Sequence, residues 1–467
     1  MRTNGIVTAV KFAPQTPDNI YTIVWDDAVL QTRCGVILNL WETVSIDTDK
    51  VENQNHMVTA EAIVIDGKAT KTDYNKKIAS LVKKVVEPAG KSGAEHTGKF
   101  KKTTSSMSRK LTAAAKVFLE SYLTGAATIV RFHNDCDGSS GAIGLYRALE
   151  TVNDKLGLQP RNISWRMNKS IAYRPDEYYE DSLFFNNYRS IARPLAFVSD
   201  FGTSPESEDA IRELTKIADM VLLDHHPVYN GFPKERITYI NPWDFGGDSD
   251  YTAGMLTCSF ANRIADVDLE LLKHASLIGD YSSCADRSNK EAQEIAVVLD
   301  YLTSKRGEGE NFTPKYFSSV IFDRDRLAES FAYASTRMGE AIELGVKNVK
   351  HYKTGGGTSV YVLDFKHVSR SEDDYPLPGR YTSSLQRKME EIGGTNVITI
   401  VHYGNYVSLR LSIEAVKKVE LLKIIEKLKE ESEHVSGGGG HHAAASIRCD
   451  KNHVDDVLKH LLQELGA

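Results

Sequence analysis

Residues 133–138, HNDCDG, bring one imidazole and two carboxylates together directly after ATIVRF, a run with the apolar pattern of a β-strand. Alternate residues of an extended chain point the same way, so His133, Asp135 and Asp137 can converge on one or two cations. Gly138 then allows the chain to turn into a helix. Imidazole and carboxylate ligands without a thiolate suit Mn²⁺ or Mg²⁺ better than structural zinc.

Further acidic and imidazole residues follow other apolar runs. Asp200 ends PLAFVSD, residues 224–226 end MVLLDHH, and Asp280 lies in LIGDYSS. An isolated acid in such a place is commonly a helix cap or a turn residue. Neighbouring residues of a strand point to opposite sides, so we expect His225 to be a metal ligand and His226 to face the substrate.

The surrounding elements are expected to bring these residues together. From Leu111 onward, short β-runs alternate with segments that have the length and pattern of amphipathic helices, which predicts βαβ units and a mainly parallel sheet. Ligands bind outside the carboxyl ends of the strands in such sheets. Because His133, Asp200 and Asp224 end successive strands, we expect all three at one edge of the sheet.

The composition limits the classes of protein to consider. The net charge is -6, with 57 basic and 63 acidic residues, so any contact with nucleic acid requires a local basic patch. The five cysteines form no C-x-x-C pair, which argues against a zinc knuckle and a disulfide framework. There is no signal peptide and no apolar run of membrane-spanning length, so we expect a cytoplasmic protein that uses no membrane.

The order of the motifs resembles the DHH phosphoesterase superfamily, in its DHH/DHHA1 branch of RecJ-like exonucleases and oligoribonuclease/pAp phosphatases. The family motifs are matched in order by H-x-D-x-D-G at 133–138, an acid at Asp200, D-H-H at 224–226, an acid at Asp280, and G-G-G-H at Gly438, Gly439, Gly440 and His441. The resemblance covers residues 111–467, and the ordered occurrence of five motifs makes it specific.

The resemblance implies a role for each matched residue. Two divalent cations, preferably Mn²⁺ and otherwise Mg²⁺, would be held in two sets: His133, Asp135 and Asp200 for one, and Asp137, Asp200, His225 and Asp280 for the other. Asp224 would fix the neighbouring imidazole, and His226 would face the phosphate. Arg410 resembles the phosphate-binding arginine of the family, and the residues from Gly438 to His441 would also bind phosphate. The chain departs from the family at Ser446, where a glycine is usual, and at His442, an additional imidazole.

We therefore expect an α/β protein with five segments. They are a small β-rich module at 1–86, a basic linker at 87–110, a mainly parallel-sheet DHH domain at 111–322, a connector helix at 323–345, and a smaller α/β DHHA1 domain at 346–467. The first module either binds nucleic acid or serves in packing or dimerisation. The linker is either a solvated spacer or, with Phe100 among its lysines, a contact for nucleic acid.

The leading functional hypothesis is a RecJ-like exonuclease that degrades single-stranded DNA or RNA by a two-metal mechanism. The alternative is an oligoribonuclease/pAp phosphatase or dinucleotide phosphodiesterase, which would use the same chemistry on short substrates. An inactive DHH scaffold in a replication or repair assembly is less favoured, because every candidate ligand is present. The expected partners are single-stranded nucleic acid or a short oligonucleotide, with replication or repair proteins as further candidates.

Overall fold

The computed structural model of the chain describes most of its residues. These are residues 2–12, 19–26, 28–34, 36–47, 51–52, 57–58, 62–86, 100–158, 162–168, 170–229, 231–234, 237–304, 312–369 and 375–467. They fold into two compact units, of which the first ends at Leu327 and the second contains Ala328–Ala467. Residues 87–99 of the expected basic linker lie outside the described residues.

The first unit begins with a mostly antiparallel sheet. Its first seven strands are β1 (Arg2–Lys11), β2 (Ile20–Val24), β3 (Val29–Cys34), β4 (Glu42–Asp47), β5 (Val51–Glu52), β6 (Met57–Val58) and β7 (Ile63–Lys68). They lie in the order β5-β6-β3-β2-β1-β4-β7, and β3 pairs with β6 in parallel. Buried β-branched side chains such as Val7, Ile23 and Val44 give this sheet an apolar core of its own.

Two helices follow this sheet: α1 (Lys71–Val86) and α2 (Phe100–Leu123). In α2, the buried side chains of Phe100, Thr103 and Met107 recur at helical spacing. The Phe100 ring packs edge-on against Tyr251, with 5.1 Å between the ring centroids. Residues 100–110 therefore form a packed helix where we expected an exposed linker, and Phe100 is not available for stacking on a base.

A parallel sheet occupies the centre of the first unit. The strands after α2 are β8 (Thr128–His133), β9 (Ile163–Asn168), β10 (Tyr188–Ser190), β11 (Leu195–Ser199), β12 (Asp219–Leu223) and β13 (Thr238–Ile240). Five of them form the parallel order β13-β12-β11-β8-β9. β10 instead pairs antiparallel with β1 and so extends the first sheet. The almost complete burial of β8, β11 and β12 is typical of a covered parallel sheet.

Helices follow the strands of this sheet. Those of the first unit are α3 (Cys136–Leu156), α4 (Pro175–Phe185), α5 (Glu208–Ile217), α6 (Ala253–Ala261), α7 (Glu270–Gly279), α8 (Lys290–Ser304) and α9 (Pro314–Ile321). The next helix, α10 (Arg324–Asn348), begins in this unit and lies mostly in the second. α3 and α6 approach closely at Gly141, where an added Cβ would lie 2.8 Å from Thr257 Cβ. This close packing brings the N-termini of α3 and α6 to the same edge of the sheet.

The second unit is a smaller α/β structure. Its elements after α10 are β14 (Lys350–Lys353), β15 (Ser359–Asp364), α11 (Pro378–Gly393), β16 (Val397–Tyr403), β17 (Tyr406–Leu411), α12 (Ile413–Val416), α13 (Leu421–Glu431), β18 (Val435–His441), β19 (Ala444–Cys449) and α14 (Val454–Leu465). The strands form one sheet in the order β14-β15-β16-β17-β19-β18. Its core contains Val360, Ile398 and Leu409 from the strands and Leu461 from α14.

The fold class predicted from the sequence is confirmed: a β-rich module precedes a parallel-sheet region and a second α/β unit. The connector helix α10 extends to Asn348. The division into five segments stays a prediction, and the β-rich module and the parallel sheet lie within one compact unit. Within the described ranges, no helix is both long enough and apolar enough to cross a membrane.

Candidate metal centre

The first group of candidate ligands lies in the turn between β8 and α3. His133 is the last residue of β8, and Asp135 caps the N-terminus of α3. Asp135 Oδ1 accepts a hydrogen bond from the Gly138 N–H (2.9 Å), and Oδ2 lies 2.9 Å from His133 Nδ1. The cap therefore fixes the carboxylate beside the imidazole. Burial lowers the pKa of His133, but Asp135 and Asp200 raise it, and the net direction is upward.

Asp200 leaves the end of β11 in an unusual backbone conformation. Its φ of 68° lies in the left-handed region, which aspartate tolerates better than most non-glycine residues. The Asp200 N–H donates to the Leu223 carbonyl oxygen at 3.0 Å, which fixes this turn against the end of β12. Oδ1 of Asp200 lies 3.5 Å from His225 Nε2, and Oδ2 lies 3.6 Å from His133 Nδ1. Asp200 thus joins two groups of ligands.

His225 is buried directly after β12, and its ring orientation is fixed. Nδ1 lies 2.9 Å from the Ser249 carbonyl oxygen, so it carries the proton and donates it there. Nε2 consequently faces carboxylate oxygens of three residues: Asp200 at 3.5 Å, Asp137 at 3.8 Å and Asp280 at 3.8 Å. Burial lowers the pKa of His225, but these carboxylates raise it well above its ordinary value. Such a site favours a positive charge at its centre.

Asp137 belongs to the first turn of α3, and its side chain is buried against the N-terminus of α6. Its Oδ2 accepts from the Ala253 N–H and its Oδ1 from the Gly254 N–H, both at 2.9 Å, and the Ser276 hydroxyl donates to Oδ1 at 2.5 Å. These donors and the helix dipole stabilise the carboxylate. Even so, burial and the nearby Asp200 raise the pKa of Asp137 well above its usual range.

Asp224 is fully buried and makes its contacts with protein groups. Oδ1 accepts from the His225 N–H (2.8 Å) and the His226 N–H (3.2 Å) and lies 2.8 Å from His226 Nδ1, while Oδ2 accepts from the Thr203 hydroxyl at 2.7 Å. Burial raises the pKa of Asp224, but the two imidazoles and the Thr203 hydroxyl outweigh it and lower the pKa to about 2. Asp224 therefore stays ionised and orients the His226 ring.

The residues of the edge fit a pair of hard divalent cations. Three sets at this edge have ligand atoms within 4.8 Å of one another: His133, Asp135 and Asp200; Asp137, His225 and Asp280; and Asp200, Asp224, His225 and His226. In the third set, Asp224 already accepts hydrogen bonds from protein donors, so the first two are the better candidates. Among the described residues, the buried Oδ2 of Asp200 has no hydrogen-bond partner, an unfavourable arrangement that a cation would relieve. Sets rich in carboxylate, with one imidazole each, suit Mn²⁺ and Mg²⁺.

The structure thus brings all eight predicted residues of the first unit to one edge of the parallel sheet, and it adds supporting residues that the sequence did not reveal. Thr203 and Ser249 orient Asp224 and His225. Trp243 donates its indole N–H to the His225 carbonyl oxygen at 3.1 Å, and its side chain is 46% exposed. These contacts join segments far apart in sequence, so no local pattern marks them.

The predicted phosphate-binding residues lie in the second unit. The Arg410 guanidinium donates to the Ser383 hydroxyl at 2.9 Å and to the Leu409 carbonyl oxygen at 2.8 Å. Gly438, Gly439 and Gly440 belong to β18, at the edge of the sheet, and Gly439 pairs with Ser446. Gly440 has a φ of 141°, and an added Cβ would overlap the chain at Ala444. The side chain of His441 lies outside the described residues.

Comparisons with known proteins add to this picture. No protein-family model matches the chain. An uncharacterized protein of Methanocaldococcus jannaschii is 24% identical over 418 residues, which represent 76% of this chain and 53% of that relative. The chain therefore spans about half the length of this relative.

Two solved structures are similar in fold. The DHH domain of a member of the S1p family of ribosomal proteins has a TM-score of 0.72 at 20% sequence identity, covering 85% of this chain and 99% of that domain. RecJ from Thermus thermophilus, in complex with Mn²⁺, has a TM-score of 0.50 at 15% identity, covering 82% of this chain and 58% of RecJ. The predicted DHH/RecJ-like resemblance is confirmed at the level of the fold.

Proposed function

From the shared DHH/RecJ-like fold, we propose that the chain is a metal-dependent phosphodiesterase that acts as a RecJ-like exonuclease on single-stranded DNA or RNA. The observation that carries this proposal is the position of Asp200, of which one carboxylate oxygen faces His225 and the other faces His133. One carboxylate shared between two ligand sets is the arrangement that a dinuclear centre requires. A structural aspartate at a strand end would not need two imidazoles facing it.

In this proposal, two cations occupy the two ligand sets. His133, Asp135 and Asp200 hold one, and Asp137, Asp200, His225 and Asp280 hold the other. When bound, two such ions supply an activated water and neutralise charge on the attacking and leaving oxygens of a phosphodiester. The protein needs no covalent nucleophile of its own. The ligand chemistry favours Mn²⁺, with Mg²⁺ as the alternative.

His226 is the group that contacts the phosphate in this scheme. Its Nδ1 lies 2.8 Å from Asp224 Oδ1, and its side chain is 34% exposed beside the ligand set. Burial lowers the pKa of His226, but the Asp224 carboxylate raises it, with a net upward direction. The imidazolium form is thus favoured, and an imidazolium can donate a proton to a phosphate oxygen or to the leaving oxygen.

Trp243 supports a nucleic-acid substrate. The indole N–H binds the backbone of His225 and also lies 3.3 Å from the Ser249 hydroxyl, which fixes the ring next to the candidate metal ligands. The exposed part of the ring offers an apolar face on which a nucleobase can stack, a contact worth about 1–3 kcal/mol per base. Inorganic phosphate chains have no group that would use such a face.

The second unit would also bind phosphate. Arg410 offers a planar guanidinium, and β18 lies at a sheet edge where its glycine backbone can approach a phosphate closely. We propose that Gly438, Gly439, Gly440 and His441 bind phosphate together with Arg410. Phosphate contacts of this kind position the strand without reading its sequence.

A substrate panel tests the proposal. Long and short single strands of DNA and RNA, with either end phosphorylated, are incubated with Mn²⁺, and release of mononucleotides is followed. We expect products from long strands, with a loss of about 10- to 100-fold in Asp224→Ala. We expect His441→Ala to reduce the hydrolysis of long strands by a smaller factor than Asp224→Ala does. His442→Ala, which changes the exposed neighbouring residue, is the matched control.

The outcomes separate the alternatives. Activity confined to short oligonucleotides or to pAp would replace the exonuclease with an oligoribonuclease/pAp phosphatase. Full activity of Asp224→Ala would show that the proposed centre is wrong. Binding of Mn²⁺ without hydrolysis of any substrate would favour an inactive scaffold in a larger assembly.

A further inference from the structure

A separate cluster of potential metal ligands lies in the second unit, at the end of the β18–β19 hairpin opposite His441. His434 immediately precedes β18, Asp450 immediately follows β19, and His453 immediately precedes α14. The Asp450 N–H donates to the His434 carbonyl oxygen at 2.8 Å, and the His453 N–H donates to the Asp450 carbonyl oxygen at 3.0 Å. The backbone thus holds all three residues together.

The side chains of this cluster converge. The imidazoles of His434 and His453 are stacked almost parallel, with ring centroids 3.7 Å apart and an interplanar angle of 3°. Asp450 uses Oδ1 to accept the Asn452 N–H at 2.9 Å, while Oδ2 lies 3.4 Å from His453 Nδ1. One ligand atom from each of His434, Asp450 and His453 lies within 4.8 Å of the others.

Two features of the cluster call for a cation. Nδ1 of His453 is buried and, among the described residues, has no partner with hydrogen-bond geometry, although a carboxylate oxygen of Asp450 lies nearby. The second feature is the set of ligand types, because two imidazoles and one carboxylate with ligand atoms within 4.8 Å of one another are groups that transition-metal ions bind.

The distances suit a tetrahedral ion. Nitrogen and oxygen ligands lie about 2.0–2.2 Å from Zn²⁺, so two ligands of a tetrahedral site are separated by about 3.3–3.6 Å. Asp450 Oδ2 and His453 Nδ1 already have such a separation, at 3.4 Å. The two rings are stacked in parallel, so the His434 ring must rotate about its side chain to bind the same ion. Three protein ligands would leave a fourth position for water.

We infer that His434, Asp450 and His453 bind one transition-metal ion, with Zn²⁺ preferred and Co²⁺ or Ni²⁺ as analogues. Two imidazoles and one carboxylate favour such ions over Mg²⁺ and Mn²⁺, which suit the oxygen-rich centre of the first unit. The ion ties the loop before β18 to the start of α14 and thereby stabilises the second unit. This inference does not depend on the proposed function.

Another group in the same unit provides a contrast. Glu431, His460 and Glu464 also place potential ligand atoms within 4.8 Å of one another. There, however, Lys427 Nζ lies 2.8 and 2.9 Å from the two carboxylate oxygens of Glu464 and so already supplies a positive charge. We therefore propose no metal at this group, and His460 becomes a matched control.

Zinc binding in the full-length protein tests the inference. The protein is saturated with Mn²⁺ to occupy the first-unit centre and is then titrated with Zn²⁺ against a colorimetric chelator. We expect wild type to bind one more Zn²⁺ per chain than either His453→Asn or His434→Asn, or these variants to bind that ion at least about 10-fold more weakly. His460→Asn should match wild type.

A thermal measurement accompanies the titration. Zn²⁺ should raise the melting temperature of the Mn²⁺-loaded wild type and of His460→Asn, and this rise should be absent from the two cluster variants, because an ion that binds the native state stabilises it. Melting curves recorded without Zn²⁺ are the control for folding: each variant should show a cooperative transition. Equal Zn²⁺ stoichiometry and affinity in wild type, His434→Asn and His453→Asn would overturn the inference.

Discussion

Asp200 combines a strained backbone with a buried carboxylate. Its φ of 68° is one that glycine adopts without cost. The conformation turns the chain out of β11 and allows both carboxylate oxygens to face imidazoles. Strain at such a position costs about 1–3 kcal/mol and persists where function requires it.

Replacing Asp200 with glycine should separate stability from function. In Asp200→Gly without metal, we expect the free energy of unfolding to rise by about 1 kcal/mol, because the strain and one carboxylate of an acidic cluster are removed. Mn²⁺ binding should be lost. Urea denaturation and calorimetry measure the two effects, and Asp200→Asn, which keeps the strain, is the control. A metal-free glycine variant less stable than Asp200→Asn would contradict this explanation.

The Asp224–His226 pair should control the pH dependence of hydrolysis. The Asp224 carboxylate raises the pKa of His226, so the imidazolium persists to higher pH than it would without this charge. Asp224→Asn removes the charge and lowers that pKa, so the alkaline limb of the kcat/KM profile should move to lower pH. Profiles at saturating Mg²⁺ test this, with His442→Asn as a control. An alkaline limb unchanged in Asp224→Asn would exclude His226 as the proton donor.

Between elements, a buried ion-pair network joins β8, β9 and α4. Arg131 on β8 is 3% exposed, and its guanidinium donates to Asp181 on α4, which is 0% exposed. Asp181 also accepts from Arg166 on β9 and from the Tyr173 hydroxyl, both at 2.8 Å. Burial lowers the pKa of Arg131, but Asp181 raises it, so the guanidinium stays charged.

Removal of Asp181 should therefore destabilise the first unit strongly. In Asp181→Ala, Arg131 is left as a buried charge without its main partner, and we expect a loss of about 3–5 kcal/mol in the free energy of unfolding. Glu180 also contacts Arg131 but is 63% exposed, so Glu180→Ala should cost at most about 1 kcal/mol. Denaturant unfolding compares the two variants. Equal losses of unfolding free energy in Asp181→Ala and Glu180→Ala would show that the stabilisation by these ion pairs does not depend on burial.

The strands that position the candidate metal ligands were predictable because β8, β11 and β12 are mostly apolar runs followed by polar residues. The start of α2 was not predictable, because lysines, serines and threonines obscure the helical spacing of Phe100, Thr103 and Met107. These three side chains are buried by tertiary contacts, such as that of Phe100 with Tyr251. β10 has only three residues and forms by pairing with β1.

Tertiary contacts also explain what the sequence could not show about the site. His225 depends on the Ser249 carbonyl oxygen for its orientation, and Asp137 on the N-terminus of α6, contacts that no local spacing encodes. The glycine tract of β18 has little intrinsic tendency to form a strand, and pairing with β19 imposes it. The sequence predicted the types of the candidate ligands and their order, whereas the orientation of each side chain depends on distant segments.

At the scale of the whole molecule, the N-terminal sheet packs with the parallel-sheet region. Thr8 Oγ1 donates to the Thr124 carbonyl oxygen at 2.8 Å, and Gln31 Nε2 donates to Asn162 Oδ1 at 3.0 Å, both in buried surroundings. β1 also pairs with β10. These contacts support a packing role for the β-rich module over a detachable nucleic-acid-binding module.

Deletion of residues 1–68 should therefore prevent the first unit from folding. Without the module, the strand β10 loses its partner β1, and Thr124 and Asn162 lose their hydrogen bonds to Thr8 and Gln31. We expect the truncated protein to be insoluble or to lack a cooperative thermal transition by circular dichroism. A truncated protein that melts cooperatively near the wild-type temperature and still binds Mn²⁺ would show that the module is separable.

A dinuclear centre requires the edge of the parallel sheet to hold two cations that share Asp200. Electron paramagnetic resonance of Mn²⁺-titrated protein without Zn²⁺ tests this, because it counts bound ions and detects magnetic coupling between neighbouring ions. We expect two Mn²⁺ ions per chain with a coupled signal, and loss of that coupling in Asp200→Gly but not in His460→Asn. A single uncoupled ion in wild type, or a coupled pair that survives in Asp200→Gly, would show that the ions do not share Asp200.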